Sequence, residues 1–356
     1  VSEAVAYVLD ASALRGWLAE ILASGRTVVV PVARGEQHLF ERVRAAEEVD
    51  LGFERSRCSA KEFLLPRSEP LFHYRLEGRE VALEEPQDAG ERLVLAGVRS
   101  CDAAGLRRLD AVYLGDAADP FYARRRSRAV VLALACHEPA NECFCAAVGG
   151  GPASTEGCDL MLHPLAGDRW LLVECSDPGR ELASLSSTTW REASAADRAE
   201  AERLEQVARA AMAGQTAAGF QGSLAAGAFA SRIWESLAEG CLGCGVCAFV
   251  CPTCTCFDVS DEGGLWGGTR WRCWDGCAFA SFTLHASGYN PRPSRVERFR
   301  QRFLHKFDYY PRSHGGECMC VGCGRCSRAC PAGVDPLDVL AALCAAPTED
   351  EHVAGA

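Results

Sequence analysis

The stretch Cys320-Val321-Gly322-Cys323-Gly324-Arg325-Cys326-Ser327-Arg328-Ala329-Cys330-Pro331 decides how this 356-residue chain is read. Three cysteines follow one another at two-residue gaps, a fourth comes after three residues, and a proline closes the run. This is the ferredoxin-type pattern for a four-iron, four-sulfur cubane. A second copy stands at Cys241, Cys244, Cys247 and Cys251, closed by Pro252. Two complete copies make accident implausible.

The chemistry explains the spacing. A cubane presents its irons at the corners of a small tetrahedron, so one short loop must wrap three thiolates around it. Gly243, Gly245, Gly322 and Gly324 let the backbone come close and aim N–H groups at the sulfurs. The proline turns the fourth cysteine away from its own run, and in two-cluster ferredoxins that cysteine ligates the other cluster. On this rule Cys241, Cys244, Cys247 and Cys330 hold one 4Fe-4S cluster, and Cys320, Cys323, Cys326 and Cys251 hold its neighbour. A structural zinc site or a disulfide framework also uses paired cysteines. Zinc does not need the trailing Cys-Pro, and disulfides are unusual beside so many thiol spacings.

Length allows two domains, or one large and one small, and 48% apolar with 24% charged residues is ordinary for a globular protein. A net charge of −11 argues against nucleic acid or an anionic membrane as the main partner. Twenty-one cysteines at ligand spacings call for a reducing compartment. Val1 to Asp10 has no basic segment before an apolar one, and no apolar run approaches a membrane span, so the expected location is cytoplasmic.

Along the chain, Asp10 or Ser12 caps a first helix with Leu14, Leu18, Ile21 and Leu22 on one face. Thr27 to Val32 is a β-branched run fit for a buried strand. Lys61 and Glu62, in a mixed stretch reaching about Asp88, read as a solvated helix edge. Leu93 to Val98 and Val130 to Ala135 read as strands with a helix through Leu106 and Leu109 between them, which implies a right-handed crossover and a parallel pair. Cys101 and Cys136 then lie at the carboxyl ends of those strands, where open α/β sheets bind ligands. With Cys143 and Cys145 they form a possible third cluster site, against the alternative of buried inert thiols. Cys58, Cys158, Cys175 and Cys344 have no partner spacing and read as core. Gly149, Gly150 and Gly151 do not open a helix in a dinucleotide pattern, so they indicate no phosphate loop.

Trp170 to Val173 reads as a further strand, Ala193 to Ala213 as an amphipathic helix, Gly214 to Gly227 as a hinge, and Phe229 to Leu237 as a helix entering the first cysteine run. The expected organisation is an α/β (or α+β) domain over 1–190 and a helical linker over 191–235. A mainly helical dicluster ferredoxin-like domain follows over 236–346, with a long insertion at 257–317, and then a tail at 347–356. The insertion region adds Cys254, Cys256, Cys273 and Cys277, thiols for a further metal or none, and the basic stretch Arg292 to Lys306. That stretch either neutralises cluster charge, docks a partner, or is a solvated helix face.

Several pieces together resemble a family. They are Gly97-Val98-Arg99-Ser100-Cys101-Asp102, Asp119-Pro120-Phe121-Tyr122, Cys136 through Glu138-Pro139 to Cys143-Phe144-Cys145, and Gly157-Cys158-Asp159-Leu160. Further on come Cys251-Pro252-Thr253-Cys254-Thr255-Cys256-Phe257-Asp258, Trp274-Asp275, Gly288 to Arg292, and His305-Lys306-Phe307. In this order, over nearly the whole chain, they are similar to the iron–sulfur beta subunits of cytosolic nickel–iron sulfhydrogenases and to their relative, the electron-transfer subunit of anaerobic sulfite reductase. Gly276 stands where that family has serine, and Thr255 where an aromatic is usual. The resemblance implies an electron-transfer subunit with no catalytic residue of its own. It would pass single electrons between a partner subunit that contains flavin and handles NAD(P)H, on one side, and nickel–iron hydrogenase subunits or sulfite reductase subunits on the other. It also implies ligand roles for the eight dicluster cysteines and for Cys101, Cys136, Cys143 and Cys145. Two other readings remain: a redox enzyme with an open cluster, and a scaffold folded by metal.

Overall fold

A computed structural model describes residues 4–53, 55–217, 219–220, 224 and 227–346. The strands are β1 (Ala6–Asp10), β2 (Thr27–Arg34), β3 (Gln37–Val43), β4 (Ser68–Glu77), β5 (Glu80–Glu84) and β6 (Leu93–Arg99). They continue with β7 (Ala129–Leu134), β8 (Leu160–Leu165), β9 (Arg169–Glu174), β10 (Arg191–Glu192), β11 (Phe257–Gly264) and β12 (Gly267–Trp274). Eight of them make one sheet in the order β10-β1-β9-β8-β7-β6-β2-β3, with β2, β6, β7 and β8 mutually parallel at its centre. Helices cover both faces, so the central strands are apolar on both sides. Val29, Leu95 and Val131 point into one core, while Val28, Val94 and Leu132 point into the other.

The local chemistry is visible at the helix starts. Asp10 accepts from the Ala13 N–H at 2.8 Å and caps the helix Ala11–Ala23. Ser194 and Asp197 form a reciprocal capping box for Ala195–Ala211. The 14-residue helix Ser100–Tyr113 leaves β6 directly and fills the crossover to β7, which sets Cys101 in its first turn.

Two features differ from the expected organisation. The insertion between the cysteine runs supplies β11 and β12, and β12 pairs with β4 of the amino-terminal region, giving a second sheet β11-β12-β4-β5. Strand β10 and the helix Ala195–Ala211, expected in the linker, belong to the large sheet: β10 pairs with β1, and Ala201 packs in its core. The tail over 347–356 and part of the glycine-rich hinge lie outside the described residues.

A third core lies beneath the cysteine runs, built from Trp234, Phe299, Phe303, Phe307 and Leu340. Phe144, between Cys143 and Cys145, is buried in it. The helix Arg295–Leu304 that carries two of these rings passes into a π-helical turn, His305–Tyr309. Such turns re-aim side chains and frequently mark functional sites.

Candidate metal centres

Cysteines from remote segments line three cavities. Cys241, Cys244, Cys247 and Cys330 surround the first. Cys251, Cys320, Cys323 and Cys326 line the second, together with Cys247. Cys101, Cys136, Cys143 and Cys145 line the third, together with Cys323. Each ferredoxin-type run therefore places its last cysteine in the cavity of the other run, and all four amino-terminal candidates meet at one place.

The cavities form a series. Cys247 and Arg302 line both the first and the second, and Cys323 lines both the second and the third. The second and third interlock through glycine. Gly322 has φ +61°, the Phe144 N–H donates to its carbonyl at 2.8 Å, and a Cβ on it would stand 2.5 Å from the Cys145 nitrogen. Only glycine fits this close approach of two loops. Of the twelve cysteines, Cys244 alone is exposed, so the series reaches the surface at its first cavity.

Charged side chains mark both junctions. Arg325 pairs with Asp102 at 2.7 Å and donates to Ser56 Oγ at 2.8 Å, the arginine and the aspartate being 4% and 1% exposed. This pair ties the second run to the helix that begins beside Cys101. Arg302 stands between the first two cavities. Burial works against its charge, but the thiols of Cys247, Cys326 and Cys251 raise its pKa. Lys306, on the π turn, reaches the second cavity and donates to Thr253 Oγ1 at 2.9 Å. The basic stretch Arg292 to Lys306 is thus turned toward the sulfur sites at these two positions.

Burial pushes the thiols of Cys101, Cys136, Cys145, Cys247, Cys320 and Cys323 up, Cys247 to about 11 and Cys145 and Cys323 to about 12. Cys251 moves the other way. Burial raises it, but Lys306, Lys61 and the Thr253 hydroxyl together bring it below the usual range. Thiols held up by burial become thiolates only when a positive centre binds them, so metal uptake here releases protons. Among the described residues no group of three or more His, Cys, Asp or Glu is arranged for a single metal ion. Thiols around a four-iron core stand farther apart than thiols around one ion, so the cavities fit the larger group.

Lys61 is not a solvated helix edge. It is 2% exposed, donates to the Cys254 carbonyl at 2.8 Å and lies 4.2 Å from the Trp274 ring centroid. Its setting in Ser59-Ala60-Lys61-Glu62-Phe63-Leu64-Leu65, a mostly apolar window, is the signal that could have shown this. Cys158 is buried as expected, but Cys58 and Cys344 are half-buried and Cys175 is exposed, its thiol 3.7 Å from that of Cys158. Cys175 is therefore no core residue. Cys254, Cys256 and Cys277 come together, whereas Cys273 turns to Ser68, 3.3 Å away.

The comparisons with known proteins agree with this geometry. Residues 240–334 match the family model of the 4Fe-4S dicluster domain. The chain is 35% identical over 312 residues to "Sulfhydrogenase 2 subunit beta" of Pyrococcus furiosus, covering 87% of this chain and 90% of that protein. With two interleaved cysteine runs, a dicluster domain and this likeness along most of its length, the chain belongs to the family of iron–sulfur beta subunits of sulfhydrogenases.

Proposed function

We propose that this chain relays single electrons through iron–sulfur clusters within a hydrogenase-type complex. In this reading Cys241, Cys244, Cys247 and Cys330 hold the first 4Fe-4S cluster and Cys251, Cys320, Cys323 and Cys326 the second. Cys101, Cys136, Cys143 and Cys145 hold a third. The observation that carries the proposal is the shared walls: Cys247 and Arg302 join the first two cavities and Cys323 joins the last two. Bound clusters supply one-electron centres whose potentials follow charge, hydrogen bonds to sulfur and solvent exposure.

The chain's own residues hold, insulate and bias these centres. Phe144, Phe299, Phe303 and Phe307 keep water from the interior. Arg302 and Lys306 place positive charge beside sulfur, which favours the reduced state. Exposed Cys244 marks the end at which electrons pass to or from a partner. The partners are a flavin-bearing NAD(P)H subunit on one side and a nickel–iron catalytic subunit on the other. The setting is a reducing cytoplasm, which keeps ligand thiols from oxidation. No helix among the described residues is long and apolar enough to cross a membrane.

The test is turnover by parts. Isolated chain given a reduced artificial donor takes up electrons in one-electron steps and evolves no hydrogen. Adding hydrogenase catalytic subunits allows hydrogen turnover to draw on those electrons. Hydrogen evolution by the isolated chain overturns the proposal.

A further inference from the structure

We propose that Cys158 and Cys175 form a thiol–disulfide exchange site, in which exposed Cys175 attacks a small organic disulfide and buried Cys158 closes the protein disulfide behind it. Neither cysteine lines a cluster cavity, and the proposal does not depend on the electron-relay reading.

The large sheet brings the two thiols together. Strands β8 and β9 are antiparallel with Leu160 opposite Glu174, and the Cys175 N–H donates to the Asp159 carbonyl at 2.9 Å. Cys175 therefore sits one residue along from Cys158 on the neighbouring chain segment. Strict strand alternation would send Cys158 to the opposite face. A turn prevents this: the Cys158 N–H donates to the Thr155 carbonyl at 3.2 Å, and the two sulfurs stand 3.7 Å apart. Neighbouring strands are about 4.8 Å apart, within the span of about 4.4–6.8 Å between Cα atoms that a disulfide bridges. The sulfurs need to come about 1.7 Å closer to bond, a movement within reach of side-chain torsions alone.

The two thiols differ in the way exchange requires. Cys175 is exposed, whereas Cys158 is 8% exposed. The Cys158 S–H is shared between the Thr155 carbonyl at 3.1 Å and the Cys175 sulfur. That contact holds the Cys175 thiol below its usual range, and together with burial it holds Cys158 well above. The Asp159 carboxylate opposes a thiolate at either position, but the Val131 N–H at 2.8 Å and the Ser176 hydroxyl at 2.5 Å engage it. Cys175 is thus the accessible nucleophile and Cys158 the protected thiol. The Cys175 thiolate attacks a disulfide R–S–S–R, forming a Cys175–S–S–R bond and releasing RS⁻. The Cys158 sulfur then attacks the Cys175 sulfur, and its proton goes to the second RS⁻, which leaves as RSH. The two cysteines lose two electrons and the organic disulfide gains them. A reducing compartment keeps such a pair as the dithiol until a disulfide is supplied.

Whole, anaerobically purified chain incubated with oxidised glutathione, then alkylated and mapped by mass spectrometry, tests this. The peptides holding Cys158 and Cys175 are expected as a linked pair, lighter than the two dithiol peptides by two hydrogen atoms. Both thiols should escape alkylation in step across a series of reduced-to-oxidised glutathione ratios, and return together on reduction. Cys158→Ser should accumulate glutathione on Cys175 as a stable mixed disulfide, which wild-type protein resolves. Cys175→Ser should leave Cys158 as an unmodified thiol. Wild-type protein that keeps glutathione on Cys175 while Cys158 is still alkylated overturns the proposal, as does alkylation of both thiols at every ratio. The wild-type mapping decides by itself should either variant fail to fold.

Discussion

Replacing Arg302 by glutamine should lower the potentials of the first and second clusters together. The guanidinium lines both cavities and has no carboxylate partner among the described residues, so its charge acts mainly on sulfur. A unit charge about 6–8 Å from a cluster centre, at an effective dielectric of about 20, contributes about 2–3 kcal/mol. For a one-electron couple, about 59 mV corresponds to 1.4 kcal/mol, so the full effect is about 90–120 mV. Arg302 is only half-buried as a residue, and ionic screening reduces the figure, so a fall of about 50–100 mV is expected at each cluster. The sign follows from electrostatics: with a cation removed, an added electron is less well stabilised. Redox titration followed by EPR reads both clusters. Arg302→Lys should restore part of the loss. Arg300→Gln should leave the potentials unchanged, because that side chain donates outward to the Phe229 carbonyl and stacks on its ring. Movement of one cluster alone, or of neither, refutes the shared-wall reasoning.

Three further outcomes can be checked. Cys330→Ala should perturb the cluster held by Cys241, Cys244 and Cys247 and leave that of its own run intact; spectra showing loss of the local cluster alone would contradict the exchange of ligands. Gly322→Ala puts a Cβ against the Cys145 backbone at a left-handed φ. It should cost at least about 2 kcal/mol and release iron from the second and third centres, seen as a lower thermal midpoint and iron content. His163, buried in β8, has its pKa lowered by burial to about 4. The unfolded chain therefore binds a proton that the folded chain refuses. Stability is full above about 6.5 and falls as pH drops toward about 4, by up to about 3 kcal/mol. His163→Leu should flatten that slope in denaturant titrations, and an unchanged slope would assign it to other groups.

The eight dicluster cysteines could be read from sequence because the spacing is itself the chemistry: three thiols per loop and a proline that hands the fourth away. Cys101 and Cys136 were readable for a different reason, since parallel strands joined through a helix bring their carboxyl ends to one edge of the sheet. Lys61 was not, because a charged side chain beside Glu62 looks solvated until Trp274, more than two hundred residues later, is laid over it. The pairing of β4 with β12 was hidden for the same reason: nothing near Ser68–Glu77 announces that its partner lies inside the carboxyl-terminal insertion. The convergence of Cys254, Cys256 and Cys277 depends on a hairpin whose only local signal is the glycine-rich turn Gly263-Gly264-Leu265-Trp266-Gly267. The aim of Lys306 depends on a π turn that periodicity does not encode.

Thiols from remote segments closing around inorganic clusters are what make one chain a conductor. Iron and acid-labile sulfide in chain purified without oxygen test that claim most directly. At least about twelve irons with equal sulfide per chain are expected, enough for three cubanes. Folded, colourless protein free of both, or protein carrying zinc without sulfide, would contradict it.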